Sequence, residues 1–327
     1  MNGRLVDGFN RRVKYLRMSI TDRCNLSCAY CRPGVSASRH TDCGMLPLRD
    51  MLRLAKVFAG LGVSKIRITG GEPLLRKGII NFIGQISAIH GIGQVAITTN
   101  GLMLNSLAGK LRDAGARSVN ISLDSLDRAK YQSITGHDGL GKVMSGIRAT
   151  MAAGFQSVKM NMVVIRGVND NEIPRFVKLS RVMKAQVRFI ELMPTAAAYW
   201  NEKRFVPMSE VKSIVENMGV LSRLDTPRWS GPAEVYHLAG AKGELGFISA
   251  VSRHFCADCN RLRLTSSGKL LTCLFGGESV DLGAMAGGGA SDEEISVAII
   301  NAVMKKNGVR NELNEEAIKP QMVHVGG

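Results

Sequence analysis

The sequence is poor in aromatic residues, poor in acids and free of long apolar runs. Aromatic residues make up 5% of the chain, with two tryptophans and five tyrosines. A protein that reads single-stranded nucleic acid stacks bases on aromatic rings, and no stacking pattern is visible here, so no nucleic-acid partner is expected. No stretch approaches the length of a membrane span, and the opening "MNGRLVDGFNRRV" is polar, so the expectation is a cytoplasmic protein without a membrane partner. The glycine-rich phosphate loop G-x-x-x-x-G-K-[ST] is missing as well. Any polyphosphate must then be neutralised by side chains. Internal repeats are not evident, and the nearest thing to low complexity is the loop-like "GAMAGGGASDEE".

Cations are what the chain has in excess. The 43 lysines and arginines against 27 acids give a net charge of +16. Such a surplus favours anionic partners, although a solubility bias spread over the surface gives the same total. Seven cysteines are present. In a reducing compartment they are read as metal-binding or catalytic, not as a disulfide framework.

Six of the seven fall into two groups of three. "CNLSCAYC" places Cys24, Cys28 and Cys31 at C-x3-C-x2-C, and "CADCNRLRLTSSGKLLTC" places Cys256, Cys259 and Cys273 at C-x2-C-x13-C. Iron–sulfur cubanes normally take four thiolates, one per iron. Three leave one iron with an open position, which is what a reactive metal site needs. Zinc competes. The first group could recruit Cys43 or His40, and the second could use His254 as a fourth ligand. Spacing alone leaves the second group open between zinc and iron–sulfur.

A β/α rhythm runs through the first two thirds. Strands are expected at 15–20, 64–69, 94–99, 118–123, 158–165 and 186–192, with helical spacing in "LRDMLRLAKVFAGLG", "LNSLAGKLRDAG" and "NEIPRFVKLSRVMKAQ". Six such units fit a partial (β/α)6 TIM-like barrel. The first cysteine group, "GGEP", "NG", "SLDS" and "ELMPT" all fall at C-terminal strand ends, where α/β barrels assemble active sites. After about residue 220 the pattern changes to short runs among turn residues, so a C-terminal α+β extension is expected. The expected division is 1–220 for the barrel and 221–327 for a region carrying the second cysteine group.

Arg17 and Lys159 alternate with apolar residues in strands. A charge aimed into a barrel is costly unless it is paired or meets an anion. The alternative for each is a salt bridge to Glu72, Asp124 or Glu191. Arg261 and Arg263 share one strand face. Glu72 reads as a structural residue of its loop, and Asn161 as an interior polar group satisfying its neighbours.

"CNLSCAYC", with Tyr30 at the aromatic position, and "GGEP" resemble the radical S-adenosylmethionine superfamily. Together with "RMSITDRC", "KIRITGGEPLLR", "ITTNG", "NISLDSL", "FIELMP" and "FCADCNRLRLTSSGKLLTCL", the chain from about residue 9 to its end resembles the GTP 3′,8-cyclases of molybdenum cofactor biosynthesis. The resemblance implies two [4Fe–4S] clusters. Cys24, Cys28 and Cys31 would hold the one that binds and reductively cleaves S-adenosylmethionine. Cys256, Cys259 and Cys273 would hold an auxiliary cluster whose open iron binds guanine. It implies S-adenosylmethionine contacts from Tyr30, Gly71, Ser122 and Met193. GTP contacts are implied for Arg17, Arg67, Thr98, Lys159, Arg261, Leu262 and Arg263. The resulting 5′-deoxyadenosyl radical would take the 3′ hydrogen of GTP, and C3′ would then attack C8 of guanine. A flavodoxin- or ferredoxin-like electron donor, a downstream enzyme of the pathway and a homodimer are the implied partners. Gly71 suits a ligand contact because a residue without Cβ lets backbone approach closely. Arg32 departs from the methionine common after the third cysteine. Cys43 matches no motif, and the terminal Gly326-Gly327 is expected to reach the active site. A peptide-modifying radical enzyme is the alternative within the superfamily, but such proteins tend to carry more C-terminal cysteines.

Overall fold

The computed structural model describes residues 5–31, 44–194, 199–225, 231–275 and 279–308. Arg32, His40, Cys43 and the terminal Gly326-Gly327 lie outside the described residues.

The chain runs β1 (Tyr15–Ser19), α1 (Leu48–Gly60), β2 (Lys65–Thr69), α2 (Ile79–Ser87), β3 (Gln94–Thr99), α3 (Leu104–Asp113), β4 (Ala116–Ser122), α4 (Arg128–Thr135), α5 (Leu140–Ala152), β5 (Ser157–Val164), α6 (Ile173–Val182) and β6 (Gln186–Glu191). It continues through α7 (Met208–Glu216), β7 (Leu221–Leu224), β8 (Glu234–Leu238), β9 (Glu244–Ile248), β10 (Arg261–Leu264), β11 (Lys269–Leu271), β12 (Ser279–Asp281), α8 (Leu282–Gly287) and α9 (Asp292–Met304). The six expected strands are β1 to β6. The helices form where apolar residues recur at helical spacing: α1 buries Met51, Leu54, Ala55 and Phe58. Local chemistry sets the ends. Asp127 caps α4 by accepting from Lys130 N at 2.9 Å, and Gly136 closes that helix at φ +71°.

All strands join one sheet in the order β12-β11-β10-β1-β2-β3-β4-β5-β6-β9-β8-β7. β10, β1 to β6 and β9 are mutually parallel, and β11-β12 and β8-β7 extend the two edges in antiparallel fashion. The sheet does not close. The extension expected after residue 220 is therefore not a separate layer. Its strands flank the barrel on both sides, and β10 pairs directly with β1. Its Leu262, Leu264, Leu270, Ile295 and Ile299 join the barrel's own apolar core.

Alternation along the strands sorts the two faces. Leu16, Met18, Ile66, Ile68, Ile97, Val119, Ile121, Met160, Met162, Val187 and Phe189 are buried in the core. The opposite face carries Tyr15, Arg17, Lys65, Arg67, Thr98, Asn120, Ser122, Lys159, Asn161 and Arg188. Ordinary α/β barrels fill this interior with branched apolar side chains; this one fills it with cations and amides. Among the described residues no helix is long and apolar enough to cross a membrane.

Candidate active site

The first cysteine group sits in the loop after β1, clamped from both sides. Gly71 N donates to Thr21 O at 2.7 Å, and Glu72 N donates to Arg23 O at 2.7 Å. From the other side Ser27 N donates to Thr135 O and Ala29 N to Ile134 O, each at 2.9 Å. Tyr30 OH donates to Asp124 Oδ2 at 2.7 Å, and Asn100 Nδ2 to Asn25 Oδ1 at 2.7 Å. Sequence reasoning gave Gly71 a ligand-facing reason for lacking a side chain. The geometry gives a different one: a Cβ there would stand 2.3 Å from Arg23 O, and one at Gly70 would stand 2.6 Å from Thr21 O. Both glycines are required by the backbone that carries Cys24.

Glu72 is fully buried and accepts from Leu74 N at 3.0 Å, Thr99 Oγ1 at 2.8 Å and Asn100 N at 2.7 Å. Burial pushes its carboxyl up to about 7 even against those three donors. It ties the β2 and β3 loops together, in keeping with its structural reading.

One cavity is lined by Cys24, Cys28, Cys31, Tyr30, Gly71, Ser122 and Met193. Every residue that the resemblance assigns to the first cluster and to S-adenosylmethionine thus faces one space. The Cys28 thiol is held well above its usual range by burial and by Cys31, Asp124 and Cys24 nearby. Such crowding suits thiolates that a metal cluster would neutralise. Two buried acceptors on the same wall, Thr69 Oγ1 and Asn161 Oδ1, find no hydrogen-bond partner in the protein. A polar ligand in this cavity would satisfy them.

The second cysteine group gathers by topology. Cys256 and Cys259 precede β10, and Cys273 follows β11, which runs antiparallel to β10. All three therefore meet at the N-terminal end of β10, while the first group lies beyond the C-terminal end of its parallel neighbour β1. The two groups sit at opposite ends of the parallel strands. A second cavity is lined by Cys256, Cys259, Cys273, Arg17, Arg67, Thr98, Arg261 and Arg263. Burial would raise the Cys259 thiol, but Arg261 and Lys306 outweigh it and bring it down to about 7.

His254 lines this cavity too. Even so, among the described residues no three cysteine, histidine or acidic side chains are grouped to hold a single metal ion. A zinc site needs its ligands within about 2.0–2.3 Å of one atom. Thiolates that each bind a different iron of a cubane stand further apart than the ligands of one zinc ion.

Two residues with implied GTP contacts are not among those that line this cavity. The Leu262 side chain is fully buried in the core on the opposite strand face, which leaves it only its backbone for any substrate. Lys159 does not line the cavity directly; it lies beside it on β5, in register with Asn120 and Gln186. The acids considered as alternative partners for the cations are engaged elsewhere. Asp124 accepts from Tyr30 and from Val163 N at 2.9 Å, and Glu191 from Met208 N, Val251 N and Ser252 N at 2.7–2.9 Å.

Tyr15, Lys65, Asn120 and Arg188 belong to the same inner face and were not singled out from the sequence. Tyr15, Asn120 and Arg188 line the second cavity. The alternation that marks Arg17 applies equally to "KIRIT" and "QVRFIE". Arg67 Nε donates to the Tyr15 phenol, and Lys65 Nζ stands 4.9 Å from its ring centroid. Burial alone would raise the Tyr15 hydroxyl; Arg67, Arg17 and Lys65 overcome it and lower it to about 7. Burial and then Arg188, Arg67 and Lys65 lower Lys159 to about 7. Lys65 falls to about 8 through burial and then Arg67 and Arg188, although Tyr15 opposes the shift. Arg188 falls to about 10 through burial and Arg67. These cations destabilise one another in a space that an anion would relieve.

The two cavities share Thr98, Asn161, Ile190 and Met193. A molecule held by the first cysteine group and an anion held by the cationic chamber would therefore meet across one thin wall.

Residues 18–180 match the model of the radical SAM superfamily, and residues 185–311 match that of the molybdenum cofactor synthesis C-terminal region. The structure superimposes on that of Streptococcus suis SuiB bound to S-adenosylmethionine, with a TM-score of 0.64 at 15% identity over 97% of this chain and 73% of that one. That likeness concerns the fold. With the cysteine loop, the clamping glycines and the partial barrel in place, this is a radical SAM protein. The chain is 44% identical to a GTP 3′,8-cyclase of Thermodesulfovibrio yellowstonii over 98% of its own length and 99% of the relative's. It is 41% identical to that of Moorella thermoacetica, again over 98% and 99%, and 46% identical to that of Geobacter sulfurreducens over 85% of each. Within the superfamily it belongs to the GTP 3′,8-cyclase family.

Proposed function

We infer that the chain is a radical SAM GTP 3′,8-cyclase acting in molybdenum cofactor biosynthesis. The observation that carries this reading beyond family membership is the pair of cavities. One holds three thiols and unsatisfied buried acceptors, the other holds three thiols and a wall of arginines, and both share Thr98, Asn161, Ile190 and Met193. The reaction removes the 3′ hydrogen of GTP as an atom and joins C3′ to C8; the resulting radical then takes up one electron from the reductant and one proton, giving (8S)-3′,8-cyclo-7,8-dihydroguanosine 5′-triphosphate.

Cys24, Cys28 and Cys31 would hold a [4Fe–4S] cluster, and Cys256, Cys259 and Cys273 a second. Bound there and reduced, the first cluster would supply the electron that cleaves the sulfonium of S-adenosylmethionine. Tyr30, Gly71, Ser122 and Met193 would orient that molecule. Gly71 does so through its backbone, where the N–H is already given to Thr21 O and a Cβ would meet Arg23 O. Arg17, Arg67 and Lys159, joined by Lys65 and Arg188, neutralise the triphosphate; the arginines offer bidentate forks and the lysines point charges. Arg261 and Arg263 stand beside the second cysteine group and orient the guanine end, with Leu262 contributing backbone only. Thr98, between the two cavities, positions the ribose against the first. Phe255 and Ile248 line the chamber as well. Such apolar walls keep water from a reactive centre.

Residues 1–220 supply the radical-generating barrel, and 221–327 the auxiliary-cluster and substrate-binding region. A flavodoxin- or ferredoxin-like donor, a downstream enzyme that takes the product, a homodimer and a cytoplasmic location complete the proposal. The test is iron, sulfide and zinc content after anaerobic purification, followed by turnover with GTP, S-adenosylmethionine and a strong reductant. About eight irons and no zinc are expected. Zinc at the second group would remove its guanine-binding role, and absence of cyclised product from fully loaded protein would refute the activity.

A further inference from the structure

Three parts of the chain, far apart in sequence, converge on one guanidinium outside both cavities. Arg11 Nε donates to Asp7 Oδ2 at 2.6 Å, and the Asp7 side chain is fully buried. Asp7 Oδ1 also accepts from Phe9 N at 3.0 Å and Arg11 N at 2.9 Å, so the carboxylate is locked by its own loop. The rest of the fork faces carbonyls. Arg11 Nη1 donates to Cys256 O at 2.6 Å and to Gly308 O at 3.0 Å, and Nη2 donates to Asn307 O at 2.7 Å. A second cation works on the other limb of the cysteine group. Lys306, buried just after α9, sends Nζ to Thr272 O at 2.5 Å, next to Cys273. Arg11 thus joins two carbonyls beyond the end of α9 to the Cys256 turn, and Lys306, from the same segment, reaches the turn of Cys273.

We propose that Arg11 is a positioning residue for the second cysteine group, fixing Cys256 through its carbonyl, with Lys306 holding the Cys273 turn from the same side. This rests on the reading that Cys256, Cys259 and Cys273 hold a cluster. The physical reason is that the group is assembled from two separate loops, and Cys259 N to Cys256 O at 3.1 Å stiffens only the first. The β10-β11 ladder, with Arg263 opposite Leu271, brings Cys273 to the start of β10, but it ends short of Cys256, which precedes that strand. Arg11 and Lys306 add the missing restraint by tying both loops to the segment that follows α9. Only a planar fork spans Cys256 O and Asn307 O together, so lysine cannot replace Arg11. Partners of this kind outside the ligand set typically account for 10–100-fold in metal affinity.

The experiment compares wild type, Arg11→Lys, Lys306→Met and Cys273→Ser, each reconstituted with iron and sulfide without oxygen. Iron content, the EPR signal of each cluster and S-adenosylmethionine cleavage without GTP are measured. Arg53→Met serves as a control. Its Nε pairs with Asp292 at 2.8 Å and thereby ties α1 to the N-terminal end of α9, the end opposite to the one that Lys306 follows. Arg11→Lys is expected to lose the second EPR signal on dilution into chelator 10–100-fold faster than wild type. Its first signal and its S-adenosylmethionine cleavage should survive. Arg53→Met should lower Tm and leave both signals intact. An Arg11→Lys protein with a second cluster as durable as in wild type would overturn the proposal, as would equal loss of both clusters. Should Arg11→Lys fail to fold, Lys306→Met carries the same expectations. A wild type with about four irons, or a Cys273→Ser protein that loses none, would overturn the cluster reading and this proposal with it.

Discussion

GTP binding should take up protons, and the structure sets how many. In the free protein Lys159 and Tyr15 are brought to about 7 and Lys65 to about 8: burial and the neighbouring arginines disfavour the lysine cations, and the cations around Tyr15 favour its anion against the effect of burial. At pH 8 the three groups together are then about two protons short of full protonation. A triphosphate reverses that balance. A single anionic charge at about 4 Å is worth about 4 kcal/mol at an effective dielectric of 20, equivalent to about 3 pK units. That is enough to return both lysines to their cationic form and the phenol to its neutral form. These groups titrate as one coupled set, so the prediction concerns their total: about two protons taken up per GTP at pH 8. At pH 8 the nucleotide itself is fully ionised. The sign follows directly. Protons enter on binding, so affinity falls as pH rises above about 7. Calorimetry of the cluster-loaded enzyme, in buffers of different ionisation enthalpy, reads the number from the slope. Lys159→Met should lower the uptake by about one and weaken GTP about 10–150-fold, the loss of a charge-assisted contact worth about 1.5–3 kcal/mol. No uptake at pH 8, or release of protons, would refute the argument that this chamber is held short of its full charge until an anion arrives.

Four further expectations follow from the same geometry. Gly71→Ala places a Cβ 2.3 Å from Arg23 O and should cost the first cluster while sparing the second, read as about four irons in place of about eight; full iron content would contradict it. Glu72→Gln turns an NH2 toward one of its donors and should destabilise the protein by about 1–3 kcal/mol, seen as a lower Tm in chelator-free buffer. Arg188→Met should raise the Kd for GTP by tenfold or more and leave iron content and S-adenosylmethionine cleavage unchanged; an unchanged Kd would remove Arg188 from the chamber. Deleting Gly326-Gly327 should keep both clusters and abolish product, and normal turnover would rule that out.

Much of the fold was legible because the strands obey a strict period of two and the helices a period near 3.6. β1 to β6 lie where "YLRMSI", "SKIRIT", "QVAITT", "SVNISL", "VKMNMVVI" and "QVRFIEL" put them. What could not be read was the destination of the C-terminal strands. β10 pairs with β1 across some 240 residues of chain, and nothing local in "RLRL" names that partner. The reason for Gly71 was hidden in the same way, since a glycine signals close approach without saying what approaches. Leu262 was drawn in by its neighbours, although the alternation that puts Arg261 and Arg263 on one face sends Leu262 to the other. Asn161 illustrates the opposite error. An interior amide usually satisfies its neighbours, yet here Oδ1 is buried without a partner at the wall both cavities share. Only three-dimensional accounting of hydrogen bonds reveals that.

The placement of β10 explains how one sheet can carry two cysteine groups. A parallel barrel offers a single functional rim, at the C-terminal ends of its strands, and that rim is taken by the loop of Cys24. Pairing β10 parallel to β1 brings in a strand whose preceding loop lies at the other end. The second cysteine group is thereby carried to the far mouth of the same interior, and Arg263 sits in register with Arg17, which sits in register with Arg67. The line of guanidiniums is a consequence of sheet register, not of loop conformation. It lays a rigid cationic floor between the two cysteine groups. The same register exposes no comparable charge on the reverse face, where Leu262, Leu16 and Ile66 continue the apolar core. A one-residue slip of β10 would therefore bury two arginines among the helices and turn Leu262 into the chamber. The cost of that error is what holds the cationic floor in register.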